Sequence, residues 1–97
     1  MSEEKFIHNK AQSRYELHIG DHMAVADYQL REGEKGVMVC ITHTGVPEAL
    51  RGGGVASRLM EQVLADIEAQ GLQVLPWCSF AEAYIERCPE WTSLVAK

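Results

Sequence analysis

Arg51 is followed by three consecutive glycines, Gly52, Gly53 and Gly54, and then by an amphipathic pattern that opens at Val55. Glycine at the mouth of a helix costs backbone entropy and adds nothing to a core. Bare backbone there suggests a use. The first N–H groups of a helix lack partners within it, and with the positive end of the dipole they make an anion site. Glycines let a bulky phosphate approach that backbone, Arg51 adds a charge, and a pyrophosphate suits both. Two known phosphate loops do not fit. A Walker loop needs a lysine that this stretch lacks. A dinucleotide fingerprint is half present as Gly52-x-Gly54, but Ser57 stands where its last glycine belongs, and the preceding strands do not form a βαβ unit. The plain alternative is that the glycines only turn the chain into the helix.

The elements that must carry this loop follow from hydrophobic periodicity. "KFIHNKA" predicts a first strand ending near Gln12-Ser13. "RYELHI" predicts a second, with Tyr15, Leu17 and Ile19 on one face and Glu16 and His18 on the other. Gly20-Asp21 makes a tight turn into "MAVADYQL", and "REGEKG" a second polar turn. "VMVCITHT" is an almost continuous apolar run, expected of a central strand buried on both faces. Strands joined by such short turns are antiparallel neighbours. From Val55 the period changes: Val55, Ala56, Leu59, Met60, Val63, Leu64 and Ile67 share one helical face, and Gly71 is the expected stop. "LQVLPW" predicts a short strand parallel to the fourth. "SFAE" has the pattern of a capping box, Ser79 with Glu82, opening a second helix from about Phe80 to Arg87 before Pro89. The fold class is α+β, an antiparallel meander followed by β-α-β-α.

Composition bounds the function. Ninety-seven residues suit a single domain, spanning 1–97, and 46% hydrophobic with 24% charged residues is ordinary for a globular protein. The net charge of −5 argues against nucleic acid as partner. No apolar run approaches a membrane span, and the acidic start "MSEEKFIHNK" has no apolar signal core, so neither membrane nor export is expected. Cys40, Cys78 and Cys88 lack a CxxC pair and read as reduced thiols of a cytoplasmic protein. Cys40 and His43 have ligand-like spacing, but residues three apart on a strand point to opposite faces, so no metal is expected.

"RGGGVA" matches the Arg/Gln-x-x-Gly-x-Gly/Ala signature as Arg51-x-x-Gly54-x-Ala56, and with "THTGVPEALRGGGVASRLM" and "VLPWCSFAEAYIERCPEW" the chain resembles the short stand-alone GNAT N-acetyltransferases. That resemblance covers Val37 to Leu94 closely. It implies a GNAT-like fold whose fourth and fifth strands splay apart to admit the pantetheine arm of acetyl-CoA. It implies that Thr44, Gly45 and Val46 offer backbone hydrogen bonds to the pantetheine amides. Arg51, Gly52, Gly53, Gly54, Val55, Ala56 and Ser57 would hold the pyrophosphate. An amine would attack the thioester directly, with backbone donors stabilising the oxyanion. One departure is local: members carry His-Pro-Glu-Tyr where this chain has Cys88-Pro89-Glu90-Trp91, which removes a proton carrier and keeps an aromatic ring.

Three side chains are candidates for the chemistry. Cys78 ends the fifth strand where the splay would bring a thioester, as a proton donor to the departing thiolate, a nucleophile, or only a small buried hydrophobe. Tyr84 lies on the helix after it, where many superfamily members place a tyrosine that protonates coenzyme A; Ile85 could hold that slot, leaving Tyr84 to pack. His43 ends the fourth strand and, as an imidazole, is a candidate general base for the incoming amine, or is simply hydrogen-bonded in place. His8, His18 and His22 suggest no function.

The acceptor is an amine on a small molecule or a protein, and the acidic balance favours a cationic one. Larger members insert helices between the first and second strands to wall the acceptor groove. Only a turn near Ala11 to Arg14 fits here, and the chain stops soon after the second helix, so the usual last hairpin is missing. Half of the acceptor site is then absent or supplied by another subunit, as in a homodimer. The rival function is an acyl-CoA-binding module that regulates or interacts without turnover.

Overall fold

A computed structural model describes residues 4–96. The strands are β1 (Glu4–Asn9), β2 (Arg14–Ile19), β3 (His22–Gly33), β4 (Gly36–Gly45) and β5 (Gln73–Pro76); the helices are α1 (Val55–Ala69) and α2 (Ser79–Arg87). The sheet runs in sequence order, β1-β2-β3-β4-β5. Its first four strands are antiparallel, and β5 joins β4 in parallel. This is the α+β architecture expected.

The chain turns tightly where it must. Ile19 pairs with His22 around Gly20, whose φ of +59° belongs to the left-handed region. The second turn is shorter than the six polar residues implied: Arg31, Glu32 and Gly33 pair with Met38, Val37 and Gly36, leaving Glu34 and Lys35 as the loop. Backbone pairing continues past the end of the core because it does not need apolar side chains. β1 begins one residue earlier than its pattern and stops at Asn9, whose side chain accepts from the Gln12 N–H and caps a 3-10 turn over Lys10–Gln12.

One face of the sheet takes both helices. Leu59, Met60, Val63, Leu64 and Ile67 of α1 and Ala81, Tyr84 and Ile85 of α2 share a buried cluster with Leu17, Ala26, Tyr28, Val39, Ile41 and Val74. Gly71, at φ +72°, stops α1 as expected, with the Gly71 and Leu72 N–H groups donating to the carbonyls of Glu68 and Ile67. The capping box is not formed. Cys78 is the N-cap of α2, Ser79 is already helical, and the Glu82 N–H donates to the Cys78 carbonyl. The helix starts one residue earlier than the pattern suggested, which puts Ser79 inside its first turn.

Two features of the sheet shape the site. Tyr28 faces Ile41 and Asp27 faces His43, so Thr42 has no opposite residue and forms a bulge in β4. Strict alternation from Ile41 would put His43 on the helix side. The bulge instead turns His43 to the other face, with Asp27, and brings Thr44 to the helix side with Ala26. It also puts Cys40 and His43 on the same face, contrary to the alternation used above to separate them. No group of three His, Cys, Asp or Glu side chains arranged for a metal occurs among the described residues. The second feature is a parting of strands. β4 and β5 pair from Met38–Gln73 to Ile41–Pro76, and the last backbone bond runs from the Trp77 N–H to the Ile41 carbonyl at 3.0 Å. β4 then continues to Gly45 paired with β3 only, while the other strand turns into α2. That parting is the splay.

Candidate functional site

The parting opens into a cleft of about 390 Å³ lined by Thr44, Val46, Leu50, Arg51, Gly52, Gly54, Val55, Ala56, Ser57 and Phe80. Of the residues expected to hold a coenzyme, only Gly45 and Gly53 are not in this lining. Pro47 starts a 3-10 turn over Glu48–Leu50, closed by the Leu50 N–H on the Pro47 carbonyl, and this turn carries the chain from β4 to the loop. The Arg51 Nε donates to the Val46 carbonyl at a long 3.4 Å, while the side chain stays exposed at the mouth.

Backbone geometry explains two of the three glycines. Gly52 has φ +88° and Gly54 +73°, a region that side chains other than those of Asn and Asp seldom adopt. A Cβ on Gly52 would meet only open space, so conformation rather than crowding selects glycine there. Gly54 is the N-cap of α1 and has no side chain to cap with. The helix therefore opens with N–H groups that no capping side chain satisfies among the described residues. They belong to residues lining the cleft.

Thr44 and Cys78 meet across the parting, their Oγ1 and Sγ 3.4 Å apart. Burial pushes the Cys78 thiol up. The hydrogen bond between the thiol and the Thr44 side chain and the nearby backbone N–H groups of Ala81 and Phe80 outweigh it, and the net pKa lies below that of an ordinary thiol. A cysteine at a helix N-terminus is the arrangement in which thiolate character rises. Phe80, two residues further, forms part of the cleft wall.

The other two candidates lie elsewhere. Tyr84 is 6% exposed within the shared core and does not line the cleft. Burial pushes its phenol up to about 12, and the neighbouring Cys88 and Glu61 act in the same direction. The Cys-for-His departure thus sits directly against Tyr84. His43 is exposed on the far face of the sheet, its Nε2 3.1 Å from where a Cβ on Gly45 would stand. The structure brings Thr44, Cys78 and the glycine loop together and leaves Tyr84 and His43 apart from them. Leu50 and Phe80 also line the cleft without having been singled out; the apolar Leu50 between two breakers is the available signal for the first, and nothing in the spacing from Cys78 marks Phe80.

A mixed sheet that parts beside an uncapped helix N-terminus is the framework of the acyl-transferring fold that the motif resembled. The family model for GCN5-related N-acetyl-transferase matches residues 14–94, and the chain belongs to that family. The match takes in β2 to α2 and leaves β1 outside.

Proposed function

We propose that this domain binds acetyl-CoA in the cleft and transfers its acetyl group to an amine. The observation that carries this reading is the coincidence of three things at one place: the family motif, the parted strands, and a helix N-terminus without a capping side chain. The donors of Gly52 to Ser57 suit a pyrophosphate, and Arg51 adds charge at the mouth. Beyond Ile41 the edge of β4 that faces away from β3 has no strand partner, and its free backbone groups from Thr44 to Val46 suit the pantetheine amides. The coenzyme supplies an activated acyl group; the protein supplies position and a proton.

Cys78 has the better place for that proton. It stands at the parting, and its thiol, with a pKa below that of an ordinary thiol, gives up a proton to a departing thiolate more readily than a phenol does. From Tyr84, at about 12, the same transfer runs uphill. Tyr84 packs, and His43 is too far round the sheet edge to share a cleft wall with Thr44. The absence of a nucleic-acid or membrane role, a cytoplasmic setting and an amine acceptor are part of the same reading; among the described residues no helix is long and apolar enough to cross a membrane.

A second reading, acyl-CoA binding without turnover, draws on the single 3-10 turn of Lys10–Gln12 that joins β1 to β2, which walls no acceptor groove. Mass spectrometry of the protein with acetyl-CoA and a panel of amines separates the two. Acetylated amine is the expected product. Coenzyme binding with no acetylated product from any amine overturns the enzyme reading.

A further inference from the structure

Arg58 lies just beyond the motif segment and reaches back over it. Its Nη1 donates to the Gly53 carbonyl at 2.6 Å and stands 3.7 Å from where a Cβ on Gly54 would be. The other edge of the guanidinium forks onto Glu4 of β1, with Nε on Oε1 at 3.2 Å and Nη2 on Oε2 at 2.7 Å. The two side chains are 44% and 30% exposed, and a pair so placed contributes little to folding. Two parallel N–H···O bonds are also how arginine grips phosphate. A fork for an oxyanion therefore stands at the rim of the glycine loop, and the chain fills it with its own carboxylate. Glu4 comes from outside the segment that the family model matches.

We propose that Arg58 is a phosphate-binding residue of the coenzyme site, and that Glu4 is a carboxylate surrogate displaced when a phosphate arrives. This rests on the coenzyme reading above. The exchange trades one anion for another on the same guanidinium edge, while the bond from Nη1 to Gly53 holds the side chain over the loop. Glu4 is therefore a competitor of the coenzyme, not a support for it. Coenzyme A offers two sources of the group, its pyrophosphate and its ribose 3′-phosphate.

Calorimetric titration of coenzyme A and of dephospho-coenzyme A into the wild type, Arg58→Ala, Arg58→Lys and Glu4→Gln tests this, with Tm recorded for each. Arg58→Ala weakens coenzyme A by about tenfold or more, Arg58→Lys by less, and Glu4→Gln tightens it severalfold. Loss of the Arg58→Ala effect with dephospho-coenzyme A assigns the contact to the 3′-phosphate; its persistence assigns it to the pyrophosphate. A Glu4→Gln protein that binds more weakly, in step with Arg58→Ala, makes the pair a mere brace for the loop and overturns the proposal. So does wild-type affinity in both variants. A wild type that binds no coenzyme A at all fails the coenzyme reading itself, a distinct result.

Discussion

The two ends of α1 treat polar groups in opposite ways. Towards its C-terminus, Asp66 accepts the Tyr15 hydroxyl at 2.9 Å and the Gln70 amide, and it lies 3.4 Å from His8 Nδ1. The other nitrogen of His8 meets the Tyr28 hydroxyl at 2.6 Å. One carboxylate on the helix thus ties down β1, β2 and, through His8, β3. On β2, Glu16 is closed in the same manner by Asn9, Arg14 and His18 at 2.9, 2.7 and 2.8 Å. At the N-terminus of α1 the first helical N–H groups find no capping side chain among the described residues: the cap is glycine, Arg51 is exposed, and Arg58 bonds the Gly53 carbonyl and Glu4 instead. Buried polar groups that find partners stabilise a fold. Groups left open at the end of a rigid element are available to a ligand.

The largest effect should come from breaking the open end. Asp tolerates left-handed backbone better than most residues, so Gly54→Asp should fold with only a modest drop in Tm. Its charge opposes a pyrophosphate, and coenzyme A affinity should fall by about a hundredfold or more by calorimetry. Wild-type affinity in this variant would dissolve the contrast between the two ends.

Chemistry at the parting is the next test. Cys78→Ala should lower kcat by roughly a hundredfold while coenzyme A affinity holds. A proton donor must be protonated, so the wild-type rate should decline with rising pH through a midpoint below that of an ordinary thiol. A rate that rises through that midpoint instead, with acetyl found on the protein, means Cys78 is a nucleophile. An unchanged kcat reduces it to packing.

The closed end should respond in stability and not in binding. Hydrogen bonds from Asn9, then His18, then Arg14 pull the Glu16 carboxyl down to about 2 from 4.5. A depressed carboxyl stabilises the fold above its unfolded pKa, and that contribution is lost as pH falls from 4.5 towards 2. Glu16→Gln should cost about 2 kcal/mol in urea unfolding at pH 7, with the difference shrinking by pH 3, and coenzyme A affinity unaltered. A difference that stays constant from pH 7 to pH 3 would contradict the ion-paired cluster.

Much of the site could be read directly. The glycine loop, its arginine and the helix behind it are contiguous, and local patterns see contiguous things. Glu16 shows where such reading stops. Alternation places it outward with His18, yet it is 5% exposed, because Asn9 reaches it from the other side of a turn and Arg14, two residues back on the same face, closes over it. His8 looked idle for the same reason: Asp66 is far away in the chain and adjacent in the fold.

By itself the amino-acid order determined the elements, since a period of 2 or 3.6 and the breakers between are local properties of the chain. It also carried the glycine loop and the helix N-terminus that opens without a capping side chain, which need only contiguous residues. Tertiary structure alone decided which candidates share a wall. One unopposed residue, Thr42, reverses the facing of everything beyond it in β4, sending His43 away and turning Thr44 towards Cys78. Whether a strand bulges depends on how its neighbour's residues pair against it, an energy that resides in β3 and β4 together and in neither sequence alone.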